Sequence, residues 1–411
     1  MELRPILSAM RRNKAGAILI GVQMAITLAI LCNALFIIQQ RVALSKRPSG
    51  TDENNIFVIS NQWVGSPPDL AAKQQGDLAA LRGLPGVVDA VASNSYPMSN
   101  SGSTEGLKLN PDQKNESALT ALYLTDEHGL QAFGLKLVAG RNFNADEVVD
   151  KFGYTDYRPP SVVIITRALA DKLFPGKSAL GQGVYFEGIP KQVPVVGIVD
   201  RLQVPWTQAG GWGSKFNDNS TILPFHFVNA HMDYIVRVQP EQAGRIAAVM
   251  KDAESKLIQA DRARVLAKTQ TLAEARAAAY QDDRGLVVIL SVVCAALVAV
   301  TAFGIVGLTS YWVSQRRRQI GIRRALGATR NAIVQYFQTE NFLIAAAGSL
   351  AGVGMAVALN LWMVSTFEME RLHTGYAIIG AILVLLLGQL AVLWPALKAA
   401  SIPPALATRA A

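Results

Sequence analysis

Apolar residues gather in four long blocks along this chain, and between the first and second blocks lies a long segment in which they come only in short runs. The blocks run over Ala15–Ile38, Leu286–Val313, Phe342–Phe367 and Tyr376–Leu397. At 1.5 Å per residue, a helix of such length crosses the ~30 Å hydrocarbon layer of a bilayer. The first two blocks hold no charge. The third is rich in Gly and Ala, and its Gly348, Gly352 and Gly354 suit close helix approach. Membrane-spanning helices are therefore expected within residues 15–38, 285–313, 334–367 and 376–397, with a large domain over 39–284 inserted between the first two. Before the first span, Leu3, Ile6, Leu7 and Met10 recur at helical spacing among Arg4, Arg11 and Arg12. That pattern predicts an amphipathic helix over residues 1–14, lying in the membrane interface.

The inserted segment alternates strand-like with helix-like runs. The expected fold class is a membrane protein of four transmembrane α-helices with a large mixed α+β extracytoplasmic domain between helices 1 and 2. Strands are expected at Ile56–Ser60, Val87–Ala92, Leu119–Leu124, Val162–Ile165, Val193–Val199, Tyr234–Val238 and Arg264–Ala267. The clearest helix runs from Pro240 to Gln259, with Ile246, Val249, Met250, Ala253 and Leu257 on one face. A last helix, Leu272 to Asp283, is expected to enter the second span as one continuous rod.

Charge then orients the spans. The stretch Gln315–Arg330, QRRRQIGIRRALGATR, contains six arginines, and basic residues beside a span bias that flank to the cytoplasm. Arg4, Arg11, Arg12 and Lys14 before the first span agree, as do Lys398 and Arg409 after the fourth. Both termini and the loop over 314–333 are thus expected inside. The inserted domain and the short loop 368–375 are expected outside. Arg41, Lys46 and Arg47 weakly oppose this, but long domains translocate largely regardless of charge. Within the arginine loop the helical pattern of the second span continues through Arg318 to Leu326, Gly327 can end it, and Thr329 can cap the helix that follows.

The composition, 51% hydrophobic and 17% charged over 411 residues, is that of a membrane chain. Its net charge of +9 needs no nucleic-acid partner, because much of the excess sits at the expected inner surface. Cys32 and Cys294 both fall in expected spans, so no disulfide is expected in the inserted domain.

Catalytic chemistry is missing. The sequence has no GxxxxGK[ST] phosphate loop; Gly176-Lys177-Ser178 has Asp171 where that motif needs a glycine. No enzyme activity and no cofactor are expected of this chain. His128, His226, His231 and His373 are scattered, and His226 with His231 lacks a third ligand, so no metal site is expected. Asp112, Glu116, Asp126 and Glu127 read as solvated loop carboxylates. In or beside the spans, Gln23, Asn33, Glu340, Asn341, Asn360 and Gln389 must face protein or water. For Glu340, pairing with an arginine of the loop is favoured over a substrate or proton role.

These residues carry a family resemblance. The order of one span, a large domain and three further spans is similar to that of the MacB/FtsX-type permease subunits of ATP-binding cassette systems. Ile320–Ala328, IGIRRALGA, resembles the signature of that family, with Gln319 where a glutamate commonly stands, and Glu340 also fits its pattern. Further likenesses are Met10–Asn13, FGLKLVAGRNF at Phe133–Phe143, VVIITRALADKLFPGKSALG at Val162–Gly181, VVGIVD at Val195–Asp200 and PALKAASIPPAL at Pro395–Leu406. The resemblance implies an inner-membrane permease that dimerises, as a homo- or heterodimer. It also implies a separate ABC-type ATPase, which carries ATP and Mg, with a periplasmic adaptor and an outer-membrane channel as further partners. The ATPase-coupling residues it implies are Gln319, Ile320, Gly321, Ile322, Arg323, Arg324, Ala325, Leu326, Gly327 and Ala328. Ile320, Ile322 and Leu326 would act as apolar anchors, and Arg323 and Arg324 as charge partners; a basic loop that binds membrane lipid is the plainer alternative. Implied substrates are macrolides, peptide toxins, siderophores and lipoproteins. The competing roles are an FtsX-like activator of a periplasmic cell-wall hydrolase and a peptide-antibiotic sensor.

Overall fold

The computed structural model describes residues 14–403 apart from 66, 157, 208–217 and 368–369. The amphipathic helix expected over 1–14 thus lies almost wholly outside the described residues. Besides a single turn at Gly129–Ala132, the helices in chain order are α1 (Lys14–Ser45), α2 (Leu70–Arg82), α3 (Arg167–Leu173), α4 (Ile246–Ala260), α5 (Leu272–Ala279), α6 (Gln281–Gln315), α7 (Arg317–Ala325), α8 (Arg330–Phe367) and α9 (Thr374–Ala400). The strands are β1 (Ile56–Trp63), β2 (Val87–Ser93), β3 (Ser103–Leu107), β4 (Ala118–Thr125), β5 (Leu137–Gly140), β6 (Val149–Phe152), β7 (Val163–Thr166), β8 (Gly183–Val184), β9 (Val193–Val199), β10 (Ser220–Val228), β11 (His231–Val238) and β12 (Arg264–Thr271). Two compact units result, Met1–Ala43 with Asp283–Ala411, and Leu44–Asp282.

The inserted unit is built on two sheets. One has the order β12-β1-β11-β2 and is antiparallel throughout. The other, β3-β4-β10-β7-β9-β5, is mixed, with β4 parallel to β10 and β7 parallel to β9. Strand β1 reads as a nearly unbroken apolar run because both its faces are covered: Phe57 and Ile59 enter one core, Ile56 and Val58 another. Helix α4 covers the first core with Val249, Ala253 and Leu257. Its first turn, Pro240–Arg245, is a 3-10 helix rather than the α-helical start the sequence suggests.

A buried ion pair ties α2 to the edge strand β12. The Arg264 guanidinium donates to both Asp77 oxygens at 2.7 and 2.9 Å, with the two side chains 1% and 2% exposed. The Tyr234 hydroxyl donates to the same carboxylate at 2.8 Å, and the Arg264 guanidinium carbon lies 3.9 Å from the centre of the Trp63 ring. Burial, reinforced by the Asp77 charge, raises the Tyr234 hydroxyl well above the ordinary tyrosine range.

The other unit is a helical bundle in which α1, α6, α8 and α9 are each long and apolar enough to cross a membrane. Helix α1 touches each of the other three. On the α6 side, Thr27 and Thr301 share a hydrogen bond of 2.8 Å, Gln23 donates to the Val300 carbonyl at 3.1 Å, and Arg41 pairs with Asp283. On the α9 side, Phe36 stacks edge-on against Tyr376 at 5.3 Å, and Cys32 meets the Tyr376 carbonyl. On the α8 side, a Cβ at Gly348 would lie 2.7 Å from the Gly21 carbonyl oxygen, and one at Gly352 would lie 2.9 Å from that of Ala25. Only glycine lets the two backbones meet so closely. Gly348→Leu is therefore expected to lower bundle stability by about 1–3 kcal/mol through overpacking. Gly354→Leu, where the added carbon meets nothing within 4 Å, should leave it unchanged. Thermal unfolding of the two variants in detergent checks the pair.

Two continuities expected from the sequence are broken. Tyr280, with φ −105° and ψ 17°, separates α5 from α6, so no single rod runs from Leu272 into the span. Arg316, with φ −98° and ψ 11°, separates α6 from α7.

Candidate functional site

The arginine loop is the compact helix α7 with a tight exit. Gly327 ends it at φ +99°, a left-handed conformation suited to glycine. The Thr329 hydroxyl then accepts the Ala332 N–H at 3.2 Å and caps α8.

One face of α7 is fixed to the bundle. Ile320, 5% exposed, packs into the bundle core that also holds Ile333 and Phe337, and Gly321 beside it is buried. Arg316, at the break before α7, donates to both oxygens of Glu340 at 3.1 and 3.0 Å, with the Glu340 side chain 4% exposed. The arginine partner anticipated for Glu340 is thus Arg316. Arg324 Nη1 donates to the carbonyls of Ala400 and Ile402 at 3.0 and 2.7 Å, closing the free end of α9. The Arg323 guanidinium carbon lies 5.0 Å from the Tyr336 ring centre.

The neighbouring face is exposed, the Arg323 contact with Tyr336 lying at its edge. Gln319, Ile322, Arg323 and Leu326 follow one another at helical i, i+3, i+4 and i+7 spacing and are all exposed, Leu326 by 82%. Ala325 and Gly327 flank them, also exposed, and Ala328 is half-buried. Two of the anticipated anchor assignments change. Ile320 is a core residue of its own bundle, and Arg324 is committed to the α9 terminus. Ile322 and Leu326 remain as outward apolar groups, with Arg323 as the outward charge.

The polar residues within the bundle are turned toward protein. Asn33 Nδ2 donates to the carbonyls of Ala29 and Ala356 at 2.9 and 3.1 Å, and Asn360 Oδ1 accepts the Leu372 N–H at 2.8 Å. Asn341 is 5% exposed with its Nδ2 beside Gly388, where no acceptor meets it among the described residues.

In the inserted unit, Asp126 is buried rather than solvated. Arg82 reaches it at 3.1 Å and Asp89 at 3.2 Å, His128 Nδ1 lies 2.9 Å from Asp89, and His226 Nε2 lies 3.6 Å from Asp126. Burial raises the Asp126 carboxyl above its usual value, against the opposing pull of Arg82 and His226. Ligand atoms of Asp126, Glu127 and His226 lie within 4.8 Å of one another, so these are the described residues that could together hold a metal ion. The Arg82 cation already occupies Asp126, and the arrangement fits an ion-pair cluster better than a dication site. His226 is paired with Asp126 and Asp150 rather than with His231. Gly176, at φ +72°, follows the end of α3 and does not open a helix, which a phosphate loop requires.

Comparison with known proteins adds to this geometry. A family model for a MacB-like periplasmic core domain matches residues 15–261, and one for an FtsX-like permease C-terminal region matches residues 291–404. The uncharacterized ABC transporter permease YknZ of Bacillus subtilis is 24% identical over 361 residues, covering 86% of this chain and 84% of YknZ. The macrolide export ATP-binding/permease protein MacB of Neisseria gonorrhoeae is 24% identical over 381 residues, covering 89% of this chain and 53% of MacB. The chain thus spans about half the length of that second relative. Among solved structures, the periplasmic region of MacB from Actinobacillus actinomycetemcomitans aligns with 56% of this chain and 94% of its own, at 14% identity and a TM-score of 0.34.

Proposed function

Because the chain belongs to the ABC transporter permease family that joins a MacB-like periplasmic core domain to an FtsX-like permease region, we propose that it couples ATP hydrolysis by a partner subunit to movement of its periplasmic domain. In this reading two permease chains pair in the inner membrane, with both termini and α7 in the cytoplasm. The outward stripe of α7 docks on an ABC-type ATPase, which supplies ATP and Mg. Ile322 and Leu326 enter an apolar groove, and Gln319 and Arg323 make the polar rim. The work done outside is export of a substrate of the antibiotic, peptide or lipid-linked class.

The observation that carries this reading is the two-faced construction of α7. Arg316–Glu340, Ile320 and Arg324 brace it on α8 and α9, so a push on its exposed face is delivered to both spans. Polar side chains in the bundle, such as Gln23, Thr27 and Asn33, bond across to neighbouring helices. That arrangement suits transmission of force better than a wide substrate path.

Cys32 and Cys294 are buried, so an exposed cysteine introduced at Lys251 on α4 can carry a spin label alone. In the complex with its ATPase, the distance between the Lys251→Cys labels of two permease chains should change when ATP is trapped. An unchanged distance distribution rejects the coupling. Efflux from intact cells with and without the ATPase, set against activation of a cell-wall hydrolase, separates export from an FtsX-like signalling role.

A further inference from the structure

Beside the start of α7 a groove of about 760 Å³ opens between the end of α6, the start of α7 and the end of α9. Arg317, Arg318 and Lys398 line it, with hydroxyls from Ser310, Ser314 and Ser401. Among the described residues none of the three cations forms an ion pair with a carboxylate; Glu340, the acid at this end of the bundle, is taken by Arg316. Lys398 instead stands 5.2 Å from the ring centre of Trp394, which is 59% exposed. The groove therefore gathers three unneutralised positive charges around hydrogen-bond donors. From it, exposed Leu386, Leu390, Leu393 and Leu397 continue along α9 into the span.

A surface that is cationic at the membrane boundary, aromatic at the edge and aliphatic beyond has the polarity of a phospholipid read from head to tail. Trp and Lys are the side chains that settle at the headgroup level, and basic pockets between spans hold anionic headgroups. We propose that this groove binds the phosphodiester headgroup of an anionic phospholipid from the surrounding leaflet. Arg317, Arg318 and Lys398 meet the phosphate, Trp394 lies at the glycerol level, and the leucines of α9 carry an acyl chain. An acidic protein segment would use the cations but leave the leucine track without purpose. The proposal rests on the membrane-spanning bundle alone, and its test needs no ATPase, so its failure would leave the coupling reading untouched.

The full chain, purified in neutral detergent, is titrated with phosphatidylglycerol, phosphatidylcholine or inorganic phosphate, and bound lipid is counted by native mass spectrometry. The expected result is retention of phosphatidylglycerol about tenfold or more above phosphatidylcholine, since basic residues at the membrane surface favour anionic headgroups. The preference should vanish in Arg317→Gln/Arg318→Gln/Lys398→Gln and persist in Lys251→Gln/Lys256→Gln on α4. Equal retention of the two lipids overturns the proposal, as does a preference that survives the triple substitution. Displacement of phosphatidylglycerol by millimolar inorganic phosphate would assign the groove to a free anion and overturn it as well. Should the triple variant not fold, brominated lipids decide on the wild type. Brominated phosphatidylglycerol must quench fluorescence more than brominated phosphatidylcholine, with the excess lost in Trp394→Phe, and equal quenching rejects the site.

Discussion

Leu326→Asp is expected to leave the protein inserted and folded, yet to weaken its hold on the ATPase by about 30-fold or more. A side chain 82% exposed contributes little to its own fold. Its loss from an interface centre is worth ~2 kcal/mol or above, which is about 30-fold in affinity. Copurification of the tagged permease with its ATPase, together with thermal unfolding of the permease alone, reads both quantities. Normal copurification would remove Leu326 from the interface. Ile320→Asp supplies the contrast. Ile320 is 5% exposed in the bundle core, so a charge there should lower the stability of the permease before any partner is added.

Asp77→Ala should be among the most destabilising single changes in the periplasmic domain. It strands the Arg264 cation at 1% exposure and removes the acceptor of the Tyr234 hydroxyl. Breaking one side of a buried pair costs about 3–5 kcal/mol, which in a unit of this size lowers the melting temperature by about 10 °C. Asp77→Leu with Arg264→Met, which removes both charges and keeps the volume, should recover much of the loss. If the single and double variants melt alike, packing rather than charge governs the site.

The four spans and the position of α7 were legible because each is a property of a local window: an apolar block longer than a bilayer, or a cluster of arginines ended by Gly327 and Thr329. The rotation of α7 was not. Which residues face inward depends on the break at Arg316, and that is set by Glu340 and by the Ala400 and Ile402 carbonyls, far along the chain. Ile322 and Leu326 therefore looked equivalent to Ile320 in sequence and are not equivalent in space. The same limit applied to Asp126, whose surroundings come from Arg82 and His226. Strand β10 was missed for a different reason. Pro224 argues against an interior strand, yet here it stands opposite Thr125 in a parallel pairing with β4.

The division of α7 into a braced face and an exposed one separates two pressures that would otherwise fall on the same residues. Ile320, Gly321 and Arg324 answer to their own bundle and are held by it. On the proposed docking, Gln319, Ile322 and Leu326 can drift in step with a partner at little expense to folding, whereas Arg323 also lies over the Tyr336 ring of its own bundle. If that docking holds, a cell with several permeases of this kind could keep them from exchanging ATPases by varying those three positions, and transplanting the three from one permease to another should redirect its allegiance.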